Sequence, residues 1–202
     1  MYLASIPFFA SRAALVLQFR QVRKDLRKVR PVDDLYTAQS RMLASARRCE
    51  PDEATDVINR RIYRDWEQVL SVVPAFPGVR RTVERLKEAG IKLGVMSDFP
   101  IGGKLEKLGL EDLWDAEVAA EEVGFLKPNP EPFRAVLDAL EEAPEETLYV
   151  GNNYAYDVEG ARAVGMRTAH LSLAPPADSK ADFTFFRYAR LAEWILDSQI
   201  RG

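Results

Sequence analysis

Hydrophobic positions recur in two different rhythms along this chain, and the change of rhythm divides it near Pro74–Gly78. Before that point the spacing is helical. Leu15, Phe19, Val22, Leu26 and Val29 follow a 4-3-4-3 pattern, which lines them up on one stripe of a helix. Ser5 can cap that helix, Pro7 suits its first turn, and Pro31 ends it. A second helix is predicted from Val32–Asp33 to about Arg48, and a third from Pro51–Asp52 to about Val73. Three helices with short connections make a small bundle.

After Pro74 and Pro77-Gly78, short apolar runs alternate with helical segments. The helix Val79–Ala89, closed by Gly90, leads into a strand over Ile91–Ser97. A helix near Gly103–Leu108 precedes a strand around Ala116–Ala120. The helix Glu131–Leu140 precedes a strand at Thr147–Gly151, and Val158–Val164 precedes Met166–Leu171. Asp182–Phe185 adds a short edge strand before a last helix, Leu191–Gln199. Alternating strands and helices predict a parallel sheet flanked by helices on both faces, a three-layer Rossmann-like α/β core. The expected organisation is an α-helical cap over residues 5–73 ahead of an α/β core over residues 74–202.

Composition narrows the function classes. At 47% hydrophobic and 29% charged residues, the 202-residue chain has an ordinary globular balance. A net charge of −3 and a pI near 5.4 argue against nucleic acid and against an anionic membrane surface as partners. One cysteine, Cys49, excludes an internal disulfide and suits a reducing compartment. One histidine, His170, argues against a histidine metal cluster or a Ser-His dyad. No apolar run is long enough to span a bilayer and no leader pattern opens the chain, so a cytoplasmic location is expected. The first helix carries Arg20, Arg23, Lys24, Arg27, Lys28 and Arg30 opposite its apolar stripe; a solvated basic face is the expected reading. His170, Trp66, Trp114 and Trp194 are expected to be structural, and Cys49 is not expected to be a catalytic thiol.

Three loops that follow predicted strands could carry chemistry. Ser97-Asp98-Phe99-Pro100 offers a hydroxyl and backbone amides suited to an anion, although Ser-Asp is equally an ordinary helix cap. Lys127 sits between an apolar pair and the proline-rich stretch Pro128-Asn129-Pro130, where its ammonium can be held toward a site. In Gly151-Asn152-Asn153-Tyr154-Ala155-Tyr156-Asp157, an amide oxygen and a carboxylate five residues apart could help fill an octahedral Mg²⁺ shell. The same residues, Asn153 and Asp157, could simply cap a helix.

Together the three loops resemble the second, third and fourth motifs of the haloacid dehalogenase (HAD) superfamily. They appear in order as Val95-Met96-Ser97-Asp98, Gly124-Phe125-Leu126-Lys127-Pro128-Asn129-Pro130, and Gly151 to Asp157. The resemblance covers roughly residues 75–172, and the helices before it match that family's helical cap. It implies a Mg²⁺-dependent phosphatase-type hydrolase acting on a small phosphorylated molecule through an aspartyl-phosphate. Ser97 and Asp98 would bind the transferring phosphoryl group, Lys127 would pair with nucleophile and phosphate charge, and Asp157 with Asn152 would hold the metal. A homodimer is compatible with this reading.

Two departures qualify the resemblance. The family's first motif, Asp-x-Asp, which supplies the nucleophile, is absent: the first acidic residue is Asp25, inside the first helix. Met1 to Phe9 reads as the segment that follows that motif, as though the natural protein began upstream. The competing reading is a degenerate first strand with Ser5 and Pro7 in place of the aspartates. Either way the chain is expected to lack turnover, and a non-catalytic relative used for binding or assembly is the alternative function. The second departure is Asn152 where the family usually carries aspartate, which removes a negative charge and should weaken Mg²⁺ binding. The family's strand order, 5-4-1-2-3, puts the first strand at the centre. Its loss predicts a slot between the strands ending at Ser97 and Gly151.

Overall fold

The computed structural model of the chain describes residues 13–30, 34–70 and 72–200. The expected helix start at Ser5 and Pro7 lies outside them. Helix α1 (Ala13–Leu26) buries Leu15, Phe19, Val22 and Leu26 as the spacing predicted, but also Arg23. Val29 does not join the stripe and is 42% exposed. The helix ends at Leu26, and the chain continues through i→i−3 bonds, Lys28 to Asp25 and Val29 to Leu26. That tighter turn rotates Val29 off the buried row.

Helix α2 (Leu35–Arg47) starts where the Asp34 carboxylate accepts the amides of Tyr36 and Thr37. The third predicted helix is not uniform. It runs as α3 (Pro51–Val57), a π-helical stretch Ile58–Arg64, and α4 (Asp65–Leu70). Its buried residues Ala54, Ile58 and Ile62 pack with Phe19, Leu43 and Leu126 in one apolar cluster, which joins the N-terminal helices to the loop preceding Lys127.

The alternating half follows as α5 (Val79–Glu88), β1 (Gly94–Ser97), α6 (Lys104–Lys107), β2 (Ala116–Ala119), α7 (Ala120–Val123) and α8 (Pro130–Leu140). Then come β3 (Leu148–Gly151), a π-helical turn Tyr154–Val158, α9 (Glu159–Ala163), β4 (Arg167–Leu171), β5 (Phe183–Phe185) and α10 (Tyr188–Ile200). All strand pairs are parallel. The first strand is shorter than predicted because the Asp115 carboxylate, at 2.7 Å, takes the Leu93 amide that would extend the ladder. Successive side chains face opposite layers. Val95 packs toward α5 and α10, whereas Met96 packs toward α8. The result is the expected three-layer arrangement.

Among the described residues the sheet is in two pieces, β1-β2 and β3-β4-β5. The slot expected between the strands ending at Ser97 and Gly151 is therefore present in the pairing: β1 and β3 each have one edge with no strand partner among these residues. Helices bridge the division. On one face α8 lays Val136 and Leu140 on β2, and Phe133 and Leu137 beside Tyr149 of β3. On the other, Ile195 of α10 packs both with the β1 layer and with Phe185 and Leu191. Burial of these side chains, worth about 2 kcal/mol each, holds the two pieces together, which share no ladder among the described residues. No helix among the described residues is long and apolar enough to cross a membrane.

Candidate active site

The loop Gly151–Asp157 folds back on itself. Asp157 is 5% exposed, and its Oδ2 accepts the amides of Asn152 at 3.1 Å and Asn153 at 2.9 Å. The Asn153 side chain accepts the Tyr156 amide at 3.0 Å and opens the π-helical turn. Close approach dictates Gly151: a Cβ there would lie 2.3 Å from the Asp157 Cβ. One turn on, a Cβ at Gly160 would meet the Phe133 ring at 2.8 Å, so only glycine lets α9 seat against α8.

Lys127 closes the loop from the other side. Its Nζ donates to Asp157 Oδ1 at 2.7 Å and to the Tyr149 hydroxyl at 3.0 Å, and its amide donates to Asp98 Oδ1 at 3.1 Å. Burial works against the ammonium, but Tyr149, Asp157 and Asp98 outweigh it and hold Lys127 above the ordinary lysine range. Burial likewise pushes the Tyr149 hydroxyl up to about 12, against the pull of the Lys127 charge, so it stays protonated at neutral pH. Asp98, Lys127 and Asp157 thus form one connected chain across the ends of β1 and β3.

Ser97 ends β1, and its Oγ accepts from the Phe99 amide at 3.1 Å and from Lys104 Nζ at 3.3 Å. With its acceptor positions taken, the hydroxyl has its own proton left to donate, which suits an acceptor-rich ligand.

The basic face of α1 is solvated only in part: Arg20, Lys24, Lys28 and Arg30 are exposed as expected, whereas Arg23 is buried and Arg27 partly so. Arg23 is 4% exposed and pairs with Glu121, itself 2% exposed, and also donates to Gln39 and to the Asp98 carbonyl. Tyr63 donates to the same carboxylate. Burial pushes the Glu121 carboxyl above its ordinary range, against the Arg23 charge. Arg27 donates to Asp98 Oδ2 at 2.5 Å and to the Lys127 carbonyl at 2.6 Å, and Arg30 grips Glu131 and Asn129. Arg23 and Arg27 turn inward because the loops after β1 and β2 offer carboxylates and carbonyls that would otherwise be buried without donors, whereas the Arg30 contacts lie at the surface. Arg20, Lys24 and Lys28 remain partly or wholly exposed.

Lys104, Arg23, Arg27 and Glu121 were not singled out from the sequence. A signal existed for Arg23, which lies between Val22 and Leu26 on the edge of the buried stripe. Glu121 lies two residues past the carboxyl end of β2, the edge where α/β sheets place ligands.

The donor set does not by itself fit the Mg²⁺ that the resemblance implies. Such an ion needs about six oxygen ligands. Both Asp157 oxygens are engaged by an ammonium and two amides, both Asp98 oxygens by Arg27 and the Lys127 amide, and Asn152 is exposed and supplies only its N–H. Among the described residues no group of three or more His, Cys, Asp or Glu gathers as a metal cluster.

His170, Trp114, Trp194 and Cys49 sit in packing positions. His170 is buried in β4 with its ring edge-on to Tyr154, and Trp194 stacks on Phe183. Trp114 donates to the Leu110 carbonyl within the apolar layer. Cys49 packs half-buried against the N-terminal cluster, and the Trp66 side chain lies outside what is described.

Comparison with known proteins agrees with the fold. The haloacid dehalogenase-like hydrolase family model matches residues 8–165, and the chain belongs to that family. The pyrophosphatase PpaX of Halalkalibacterium halodurans is 31% identical over 134 residues, covering 64% of this chain and 61% of that protein. The chain spans about half to three-fifths of the length of the curated relatives it matches. A 2-haloacid dehalogenase from Pseudomonas syringae pv. tomato superposes with a TM-score of 0.66 at 23% identity, over 96% of this chain and 88% of that one. An HAD phosphatase from Thermococcus onnurineus gives 0.58 at 23%, over 90% and 89%. At such identities these two establish the fold alone.

Proposed function

We propose that the strand-end site is a phosphatase-type site for a small phosphorylated molecule. The observation that carries this is the Ser97 hydroxyl, left with a proton to donate, beside the continuous chain Asp98–Lys127–Asp157. Ser97 would donate to a phosphoryl oxygen. Lys127 would neutralise charge on the phosphoryl group, and Tyr149 would orient the lysine. The N-terminal helices would act as the cap, docked through Arg23, Arg27 and Arg30. That curated relatives are named pyrophosphatases supports phosphorus chemistry over dehalogenation. Family phosphatases use Mg²⁺; the residues the resemblance assigns to it, Asp157 and Asn152, do not fit it as they stand, because both Asp157 oxygens are engaged. Asp157 would first have to release Lys127.

Aspartyl-phosphate formation needs a carboxylate that no Asp-x-Asp pair supplies ahead of Asp25. We therefore expect this chain to bind phosphate without turning it over. Titration calorimetry with inorganic phosphate should show binding that Lys127→Met weakens about tenfold or more, the scale of one charge-assisted contact. p-Nitrophenyl phosphate with Mg²⁺ should show no turnover. Absence of phosphate binding would sink the site reading, and turnover would sink the expectation of inactivity.

A second reading, a non-catalytic relative serving binding or assembly, is favoured by the full engagement of Asp98 and Asp157. The codons immediately upstream of Met1 separate the two. An in-frame apolar strand ending Asp-x-Asp would sink the non-catalytic reading.

A further inference from the structure

Four cations crowd the ends of β1 and β2, and three are accounted for. Lys127 is paired with Asp157, Arg23 with Glu121, and Arg27 with Asp98. Lys104 is different. Among the described residues no carboxylate lies within ion-pair distance of it, and its one hydrogen bond there is to the Ser97 hydroxyl at 3.3 Å. Its ammonium also stands 5.4 Å from the Phe99 ring centre, on a ring already flanked by the Arg23 guanidinium at 4.0 Å. The side chain is largely shielded from water, and burial brings it down to about 8; Glu121 and Glu67 pull the other way, Arg23 with burial. A half-buried lysine held beside another cation, with two of its three N–H groups unused, is arranged for an anion that arrives from outside.

We infer that Lys104 is a specificity-determining cation of this site, placed for a second anionic group adjacent to the phosphoryl group held by Ser97 and Lys127. The inference rests on the phosphatase-type reading of the same site and adds a substrate class to it. A single phosphoryl group is served by Ser97 and Lys127. A diphosphate brings further oxygens within reach of the Lys104 ammonium, whose charge cannot be matched by Arg23 or Arg27 because their donors are committed to Glu121, Gln39, Asp98 and Lys127.

The test uses the chain itself with inorganic phosphate and inorganic pyrophosphate as probes, each titrated calorimetrically into wild type, Lys104→Met, Lys104→Arg and Lys107→Met. Lys107 lies one turn away and faces Glu67, so it controls for net charge. Wild type should bind pyrophosphate about tenfold tighter than phosphate, the scale of one added charge-assisted contact. Lys104→Met should abolish that preference, weakening pyrophosphate binding more than phosphate binding, with Lys104→Arg restoring part of the preference and Lys107→Met leaving it unchanged. Equal loss of both anions in Lys104→Met would make Lys104 an ordinary phosphoryl ligand and overturn the inference. So would an unchanged preference. Failure of wild type to bind either anion would overturn this inference and the underlying site reading together. Phosphate binding without a pyrophosphate preference would overturn this inference alone. Circular dichroism of each variant shows that a lost preference is not lost structure.

Discussion

Replacing Lys104 by methionine should stabilise the protein at neutral pH. The Lys104 ammonium is held near Ser97 by a single hydrogen bond and sits beside Arg23, and burial lowers it from 10.5 to about 8. That difference corresponds to about 3 kcal/mol disfavouring the charged form in the folded chain, a ceiling that partial solvation reduces to roughly 1–2 kcal/mol. A base held below its ordinary range binds its proton more weakly folded than unfolded. The penalty is therefore complete below about pH 8 and fades as pH rises from there toward 10.5. Methionine has similar length and no charge, so it removes the penalty and keeps the packing against Phe99. Urea unfolding of wild type and Lys104→Met at about pH 7 should show the midpoint raised in the variant, with unchanged m. Repeated at about pH 10, the difference should shrink toward zero. Glu121, Arg23 and Glu67 also face this lysine. A variant less stable than wild type at neutral pH, or a gain independent of pH, would refute the reasoning. A residue that costs stability and touches the candidate phosphoryl ligand fits the usual trade between activity and stability.

Three further outcomes are expected. Glu121→Gln leaves the buried Arg23 guanidinium without a carboxylate and should cost about 3–5 kcal/mol in chemical unfolding, whereas the pair Arg23→Met with Glu121→Leu should recover most of it. Phe133→Ala empties a fully buried position between α8, α9 and Tyr149 and should cost about 3–5 kcal/mol, read as a lowered urea midpoint. Gly151→Ala drives a methyl into Asp157 and should cost about 1–3 kcal/mol, and calorimetry should show weakened phosphate binding because Lys127 loses its seat.

Much of the fold was legible in the residue pattern, for a local reason. Helical stripes such as Leu15–Phe19–Val22–Leu26 and apolar runs such as Leu148–Gly151 are set by period and turn chemistry within a few residues. Ser97, Lys127 and Asp157 could be picked out because each follows a strand, and parallel strands deliver their ends to one edge. Asp98, Lys127 and Asp157 do form one connected group. The π-helical stretch at Ile58–Arg64 was not legible, since its α-like spacing hides the wider turn.

What tertiary structure alone decided is where charge goes. In sequence, Arg23 and Arg27 read as part of a solvated face, and nothing singles Lys104 out of its short predicted helix. Folding brings Arg23 against Glu121, 98 residues away, and Arg27 against Asp98, 71 residues away. Their partners arrive from other elements, and no local period encodes such a meeting. The division of the sheet has the same character. Each strand is determined by its own residues, but whether β1 and β3 share a ladder depends on what lies between them in space. Hydrophobic rhythm is a property of neighbours along the chain, whereas the pairing of charges and strand edges depends on which distant segments the burial of that rhythm brings together.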